Sequence, residues 1–402
     1  MRDEHRGERP ASRFLASVDG CHSSSLRWQG KRNRRKSESA DGLRKWVYAK
    51  RDCSGFKDKV VIVSYNVLGV ENVTKHPDLY FNIPPKYLGW DHRKELLRKE
   101  IKNYHPGILC FQEVDRFNDL EDALQRDGFK GVYQARTGDA PDGCAIFWNN
   151  ERFTLLHEEH MEFQSFGLRN NVAQFCVLQM SSNQLISDTK SKSKAARSSR
   201  SMVVGNIHVL FNPNRGDIKL GQIRLFLERA HKLAEEWGKI PVVLAGDLNS
   251  VPQSAVYQFM SSAELDLSRH DRKRISGQMD IPLKSSIFQS QQEGFPRWNG
   301  EELKLATGDE HVTCLLHYLK LCSAYPGVPG NLRTRDSMGE PLATSCHSKF
   351  MGTVDYIWHT EELIPVRVLD TLPVNVLRKM GGLPNKKWGS DHLALACEFA
   401  FA

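Results

Sequence analysis

Short apolar runs separated by turn residues occupy the chain from Val60 to the C-terminus. Most runs are too short for helices and are rich in Val, Ile, Phe and Cys, which is typical of buried strands. They span residues 60–65, 108–112, 144–148, 172–180, 202–210, 242–245, 354–359 and 393–399. Two longer segments, 90–103 and 219–237, carry apolar residues at helical spacing. Strands that alternate with a few long helices predict an α/β sandwich.

The N-terminal part of the chain lacks this pattern. Residues 1–57 are rich in Arg, Ser, Gly and Glu and have few periodic apolar positions, so we expect a flexible basic leader before one folded domain at 58–402. Within that domain, segment 181–201 is rich in Ser and Lys and segment 268–300 is polar, and both are predicted to be surface insertions. The sequence has no repeat of about 20 to 30 residues, which argues against a leucine-rich array.

The net charge gives one indication of the kind of binding partner. The formal net charge of +8 favours a polyanionic partner such as a nucleic acid, because Lys and Arg release counterions when they neutralise phosphates. Part of this charge lies in the run Lys-Arg-Asn-Arg-Arg-Lys at 31–36, which can contact nucleic acid or serve as a nuclear-import signal. A solvated tail is the alternative interpretation of this run.

Cysteine usage and hydropathy restrict the compartment. The nine cysteines form no Cys-x-x-Cys pair, and Cys110, Cys176 and Cys397 lie inside apolar runs, so they are predicted to be buried thiols in a reducing compartment. The N-terminus carries no apolar signal segment, and no run approaches the roughly 18 residues of a membrane span. We expect no membrane association and a location in the nucleus and cytoplasm.

Polar residues recur where the apolar runs end. They are Asn66, Gln112-Glu113, His208, Asp247-Leu248-Asn249, Asp355 and Ser390-Asp391-His392. In a sandwich, such strand ends can converge on one rim. Each residue alone also fits an ordinary role, such as a surface acid, an Asx turn or a hydrogen-bonded core histidine. Together they supply carboxylates for magnesium, amides for a phosphate oxygen and a histidine that a carboxylate can orient.

These motifs, in this order, resemble the motif series of the endonuclease/exonuclease/phosphatase superfamily. The resemblance covers the chain from about Val60 to the C-terminus. Segments 64–68 and 109–114 further resemble the carbon-catabolite-repressor-type deadenylases and their Angel and nocturnin relatives. The resemblance implies a four-layered α/β sandwich and a Mg²⁺-dependent hydrolase.

It also implies roles for single residues. Glu113 would ligate Mg²⁺ with help from Asn66. Asp247 would position or deprotonate the attacking water, and Asn249 would hold the phosphate.

The remaining roles concern the phosphate and the base. His392, oriented by Asp355, would bind the scissile phosphate, and His208 would support the transition state. Pro213 and Phe350 occupy the places of a proline and a phenylalanine that sandwich an adenine in the deadenylases, and aromatic stacking of a base suits that position.

The expected substrate is the poly(A) 3′ end of messenger RNA, shortened stepwise with release of 5′-AMP. An alternative remains, because segments 136–146 and 212–220 resemble the Angel branch, which includes 2′,3′-cyclic phosphatases. There Arg215 would contact a terminal phosphate, unless it simply pairs with Asp217. A non-catalytic RNA-binding adaptor is the third possibility. The missing leucine-rich array, which docks the second nuclease subunit in yeast and animal deadenylases, argues against membership of the Not complex.

Overall fold

Two mixed β-sheets pack face to face in the computed structural model, which describes residues 44–181, 200–278 and 298–402. The strands are β1 (Trp46–Tyr48), β2 (Lys59–Asn66), β3 (Ile108–Val114), β4 (Phe129–Ala135), β5 (Gly143–Asn149), β6 (Phe153–Glu162), β7 (Val172–Met180), β8 (Ser201–His208), β9 (Val242–Asp247), β10 (Glu264–Asp266), β11 (Cys314–Leu316), β12 (Cys322–Ser323), β13 (Ser345–His347), β14 (Phe350–Gly352), β15 (Asp355–His359), β16 (Leu363–Leu369) and β17 (Leu395–Phe401). One sheet has the order β1-β16-β17-β2-β3-β5-β4 and the other β12-β15-β9-β8-β7-β6, while β10-β11 and β13-β14 form two small sheets.

Helices cover the outer face of each large sheet. The helices in the described ranges are α1 (Val70–Lys75), α2 (Trp90–Lys102), α3 (Phe117–Gln125), α4 (Gly216–Glu236), α5 (Ala255–Ser262), α6 (Gly300–Thr307) and α7 (Val374–Met380). Helices α2 and α3 pack on the seven-stranded sheet, and α4, α5 and α6 pack on the six-stranded sheet. The predicted four-layered α/β sandwich is therefore confirmed. No helix within the described ranges is long and apolar enough to cross a bilayer.

Strand alternation explains why the apolar runs are continuous. In β2, Ile62 faces the opposite sheet, whereas Val61 and Val63 face the helices. A strand covered on both faces needs apolar residues at nearly every position. The predicted cysteines Cys110 and Cys397 are fully buried between the sheets, and every cysteine in the described ranges is a free thiol.

The N-terminal boundary differs from the sequence prediction. Residues 44–57 were assigned to the flexible leader, but Trp46–Tyr48 pairs antiparallel with β16 as its edge neighbour. Arg44 forms a buried ion pair with Glu100 at 3.1 Å. A three-residue edge strand leaves almost no periodic signal, which is why the pattern missed it. Residues 1–43, including the basic run at 31–36, lie outside the described residues.

The predicted surface insertions are only partly described. Ser201, the last residue of the first one, already begins β8, and 182–199 lies outside the described ranges. In the second one, residues 268–278 form two short 3₁₀ turns, and Ile275 is fully buried in the core beneath α4. This end of the segment therefore packs against the domain rather than lying on its surface. Residues 279–297 are not described.

The topology gathers the polar strand ends at one rim. β2 and β3 are parallel, with Asn66 opposite Gln112, and β8 and β9 are parallel, with His208 opposite Asp247. β15 runs antiparallel to β9 and begins opposite its end, so Asp355 pairs with Asp247. All of these residues therefore lie at the same end of the sandwich.

Candidate active site

The side-chain amide of Asn66 links the two sheets at this rim. Asn66 Nδ2 donates to Glu113 Oε1 at 3.0 Å and to Asp247 Oδ2 at 3.1 Å. Its Oδ1 accepts from the backbone N–H of Leu68 at 3.0 Å. Asn66 therefore holds two carboxylates from facing sheets side by side while its own oxygen is occupied. In this arrangement Asn66 orients the carboxylates, rather than offering an oxygen as the sequence resemblance implied.

Glu113 occupies a β-bulge at the end of β3. Its backbone is left-handed, with φ of 56°, and the register to β5 shifts across it. Such strain in a non-glycine residue is common at functional sites. Gly69 N–H and Asn72 Nδ2 donate to Glu113 Oε2 at 3.1 and 2.7 Å. Burial alone would raise the pKa of Glu113, but the hydrogen bonds from Asn66 and Asn72 and the charge of His392 lower it, so the group is ionised at neutral pH.

The turn after β9 places Asp247 and Asn249. The backbone N–H of Asn249 donates to Asp247 Oδ1 at 2.8 Å, and Asn249 itself is left-handed, with φ of 44°. Residue 246 must be glycine, because a Cβ there would lie 2.0 Å from the carbonyl oxygen of Ile207. Burial and the neighbouring carboxylate of Asp355 raise the pKa of Asp247, which makes it a stronger base than an exposed aspartate.

His392 and Asp355 form a buried dyad. His392 Nδ1 lies 2.8 Å from Asp355 Oδ2, and His392 Nε2 faces Asp247 Oδ2 at 3.8 Å. Burial would lower the pKa of His392, but Asp355 and Asp391 raise it well above its ordinary value. The imidazole is therefore protonated at neutral pH. Ser390 Oγ accepts from the backbone N–H of His392 at 3.1 Å and fixes the loop.

His208 has the opposite electrostatic character. Burial lowers the pKa of His208 despite the nearby carboxylate of Asp247, so the ring is neutral. Asn249 Nδ2 lies 3.1 Å from His208 Nε2 and 3.0 Å from the carbonyl of Val209. Both N–H groups of that amide are therefore engaged. The structure thus gives Asn249 the task of orienting His208, in place of the direct phosphate contact expected from sequence. His208 Nδ1 is buried and lacks a hydrogen-bond partner within the described ranges.

The donor set fits a hard divalent cation. Side-chain atoms of Asp247, Asp355 and His392 lie within 4.8 Å of one another. His392 is the less suited donor for such a cation, because a hard cation prefers oxygen ligands to an imidazole nitrogen. The carboxylates of Glu113 and Asp247, held by one amide of Asn66, are the oxygen donors that such a cation prefers. Asp355 Oδ1 is buried without a hydrogen-bond partner in the described chain.

Phe350, one of the predicted base-contacting residues, lies on a hairpin that is bridged to His392. It belongs to the β13–β14 hairpin, whose Ser345 forms a β-bridge with His392. Its ring packs over Gly352, where a Cβ would come within 2.9 Å of Phe350 Cζ. Pro213 is half-buried in the loop that follows β8. The two residues therefore stand on different loops of the same rim.

Arg215 pairs with a carboxylate of the helix that follows it. Its guanidinium binds the buried carboxylate of Asp217 with distances of 2.7 to 3.2 Å. Arg136, from the other Angel-like segment, binds the buried Asp142 at 3.2 Å and Asn170 Oδ1 at 2.6 Å. Both guanidinium groups are thus engaged with protein acceptors, which agrees with the simpler of the two sequence interpretations of Arg215.

Sequence reasoning missed three buried polar residues behind the site. Asn206 receives a hydrogen bond from Gln112 Nε2 at 2.8 Å and donates to two carbonyls of the facing sheet. Arg93 is fully buried, and its Nη1 donates to two carbonyls of the loop after β2 and to Gly389 O at 2.8 to 3.1 Å. Lys219 is also fully buried. The sequence did contain an indication that Lys219 is buried, because it lies between Ile218 and Leu220 on the helix face that packs on the sheet.

Comparison with known proteins agrees with this geometry. The endonuclease/exonuclease/phosphatase family model matches residues 63–392. Carbon catabolite repressor protein 4 homolog 5 of Arabidopsis thaliana is 55% identical over 389 residues, which cover 94% of this chain and 85% of that protein. Protein angel homolog 2 of Danio rerio is 30% identical over 379 residues, 84% of this chain and 63% of that protein. A crystal structure of ANGEL2, a 2′,3′-cyclic phosphatase, in complex with adenosine-2′,3′-vanadate has a TM-score of 0.71 at 29% identity and covers 89% of this chain and 98% of that chain. The chain therefore belongs to the endonuclease/exonuclease/phosphatase family, in the branch that contains the carbon catabolite repressor 4 homologues and the Angel proteins.

Proposed function

We propose that the chain is a Mg²⁺-dependent 3′-exoribonuclease that shortens poly(A) and releases 5′-AMP. Membership of the family makes it a hydrolase of nucleic acids or other phosphoesters. The observation that carries the proposal is the opposition of two kinds of group across the rim. The Glu113–Asp247 carboxylate pair lies on one side, and the cationic His392 lies 3.8 Å from Asp247 on the other.

The residues divide the chemistry between them. Glu113 and Asp247, oriented by Asn66, would hold Mg²⁺, which neutralises charge on the phosphate and activates water when bound. Asp247 would also position the attacking water beside the phosphate.

The two histidines serve the phosphate. His392 presents Nε2–H to a phosphate oxygen, while Asp355 keeps its Nδ1 protonated and its ring fixed. His208, whose Nε2 accepts from Asn249 and lies 3.6 Å from Asp247 Oδ2, supports the transition state from beside the carboxylates. The cationic His392 therefore stabilises the charge that develops on phosphorus, and His208 lines the same site as a neutral ring.

The preference for adenine rests on Phe350. Its hairpin is joined to His392 by a β-bridge at Ser345, and Phe350 lies two residue pairs further along that hairpin, opposite His347. Stacking on an aromatic ring contributes about 1 to 3 kcal/mol per base. The guanidinium groups of Arg215 and Arg136 are committed to Asp217 and Asp142, and this favours base recognition over capture of a terminal phosphate.

A second candidate is removal of a 2′,3′-cyclic phosphate from an RNA end. The similarity to ANGEL2, whose crystal structure holds adenosine-2′,3′-vanadate, supports it. Both reactions begin with water breaking a P–O bond of a phosphodiester and need the same carboxylates and histidines. In chain shortening, the 3′-oxygen of the preceding nucleotide leaves and 5′-AMP is released. With the cyclic phosphate, one ribose oxygen leaves and the ring opens to a phosphomonoester, whose hydrolysis then releases phosphate.

Three labelled RNAs distinguish these functions. One ends in about twenty adenosines, one in about twenty uridines, and one in adenosine 2′,3′-cyclic phosphate. We expect stepwise release of 5′-AMP from the first, slower cleavage of the second and no change in the third. Opening of the cyclic phosphate without chain shortening would replace the proposal by the second candidate. Equal rates on adenosine and uridine ends would remove the poly(A) preference.

Two variants test the recognition residue. Phe350→Ala should cost on the order of 1 to 3 kcal/mol on the adenosine RNA and little on the uridine RNA. Arg215→Ala should have a small effect on turnover, because its partner is Asp217. Phe166→Ala, which removes an exposed ring on a turn after β6, is the matched control. A large loss in Arg215→Ala with none in Phe350→Ala would favour the cyclic phosphate.

The same proposal includes a location in the nucleus and cytoplasm, supported by the basic run at 31–36. Replacing all the arginine and lysine residues of this run by alanine should shift a fluorescent fusion of the protein toward the cytoplasm. An unchanged distribution would contradict this part.

A further inference from the structure

Lys219 joins the two loops that carry the predicted substrate-contacting residues of the six-stranded sheet. It lies in the first turn of α4 and is fully buried. Its Nζ donates to the carbonyl oxygens of Leu210 at 2.5 Å, of Phe211 at 3.4 Å and of Asn249 at 2.8 Å. The first two belong to the loop after β8 and the third to the turn after β9.

Stability does not explain a lysine at this position. Within the described ranges Lys219 forms no ion pair, and all three partners are backbone carbonyls. Burial of a cation is costly, and the first turn of a helix carries a positive partial charge that opposes it. Burial lowers the pKa of Lys219 to about 7, despite the nearby carboxylate of Asp247. An apolar side chain of the same length would fill this space without a buried charge, but it would not hold the three carbonyl oxygens in place.

The carbonyl groups that Lys219 binds lie next to residues of the candidate active site. Asn249 has a left-handed backbone, and its side-chain amide orients His208. Leu210 is fixed a second time, because its N–H donates to Gln222 Oε1 at 2.9 Å. The chain then runs through Phe211 to Pro213. One ammonium group thus fixes the backbone of Asn249 relative to the loop that contains Pro213.

We propose that Lys219 is a positioning residue, which sets Asn249, and through it His208, against the phosphate and holds the loop that contains Pro213. The proposal rests on the proposed phosphodiesterase function. Lys219 does not touch the substrate. Its loss lets the strained turn at Asn249 relax, so that His208 meets the phosphate in a poorer geometry. A displacement of about 1 Å at a reacting group can cost roughly a hundredfold in rate.

Lys219→Met tests this, because methionine fills the space and removes all three donors. We expect kcat on the adenosine RNA to fall about 10- to 100-fold, KM to change by about twofold, and the unfolding temperature to change little, because removal of the buried charge offsets the loss of three hydrogen bonds. Lys232→Met, on the exposed face of the same helix, is the control and should behave as wild type. If Lys219→Met folds poorly, Lys219→Gln, which retains an amide donor, provides the same comparison.

A double-mutant cycle separates positioning from a general loss of structure. In the Asn249→Ala background, the side-chain amide through which Lys219 acts on His208 is gone. Lys219→Met should then lower kcat by less than about threefold. An equal loss in both backgrounds, or wild-type kcat in folded Lys219→Met, would overturn the inference. Cleavage of bis(p-nitrophenyl) phosphate is followed in parallel. A wild-type protein that cleaves neither this ester nor RNA would reject the proposed function itself, whereas activity that Lys219→Met leaves unchanged would reject only the role of Lys219.

Discussion

Replacing Asp355 by Asn changes one charge in the dyad and almost no volume. In the wild-type protein, Asp355 Oδ2 accepts from His392 Nδ1 at 2.8 Å, and both side chains are buried. The carboxylate raises the pKa of His392 and fixes its tautomer. Asparagine can offer its N–H to Nδ1 instead, which would leave the ring neutral, with its one proton on Nε2.

The expected loss can be estimated from this geometry. A hydrogen bond to a charged group contributes about 1.5 to 3 kcal/mol, and loss of the imidazolium charge that faces the phosphate adds to it. Together they give about 3 to 5 kcal/mol of transition-state stabilisation, or roughly a hundred- to several-thousandfold in kcat. Because Asp355 raises the pKa of His392, the decline of activity with rising pH should begin at lower pH in the variant.

The assay also decides what Asp355 does. Single-turnover cleavage of the adenosine RNA is measured over a range of Mg²⁺ concentrations. If Asp355 orients His392, kcat falls while the Mg²⁺ concentration for half-maximal rate changes by less than about threefold. Asp355 also lies in the three-residue group that could hold a metal. A large increase in the Mg²⁺ requirement, with rates restored at high Mg²⁺, would show that it is a ligand and refute the dyad.

Two further predictions concern stability. Arg44→Met leaves Glu100 buried without its ion-pair partner and should lower the free energy of unfolding by about 3 kcal/mol. Urea denaturation measures this change, and Lys45→Met, at an exposed position, is the control. If Arg44→Met is as stable as wild type, residue 44 is not part of the folded unit. Burial raises the pKa of Glu340 from its ordinary value of 4.5 to about 7, so the folded state binds an extra proton between these pH values and wild-type stability should fall as the pH rises through this window. Glu340→Gln removes that slope and should be more stable than wild type at pH 8 by on the order of 3 kcal/mol, whereas parallel stability curves would contradict the burial argument.

The sequence predicted the central strands well because they are covered on both faces. All eight predicted runs fall on strands, and the helix predicted at 219–237 is α4. The pattern missed Phe153–Glu162, an edge strand whose side chains alternate between half-buried and exposed. Its Glu and His residues are compatible with an edge in contact with water. They cannot be distinguished from a polar loop without knowing the neighbouring strand.

The candidate site was predictable only in its ionisable residues at strand ends. Asp247 and Asp355 could be grouped because parallel and antiparallel pairing brings their strand ends together. The sequence did not predict which amides orient which catalytic side chains, because these roles depend on hydrogen bonds such as that between Asn249 and His208. The buried Lys219 was missed because a lysine in a helix is most often exposed.

The central claim is that the Glu113–Asp247 pair supports metal-dependent cleavage of RNA. The most direct measurement compares wild type and Glu113→Gln in single-turnover cleavage of the adenosine RNA, with Mg²⁺, after EDTA treatment and after Mg²⁺ is restored. We expect wild type to release 5′-AMP, to stop with EDTA and to recover, and Glu113→Gln to be inactive with an unchanged unfolding temperature. Undiminished cleavage by wild type without metal, or wild-type rates in Glu113→Gln, would contradict the account.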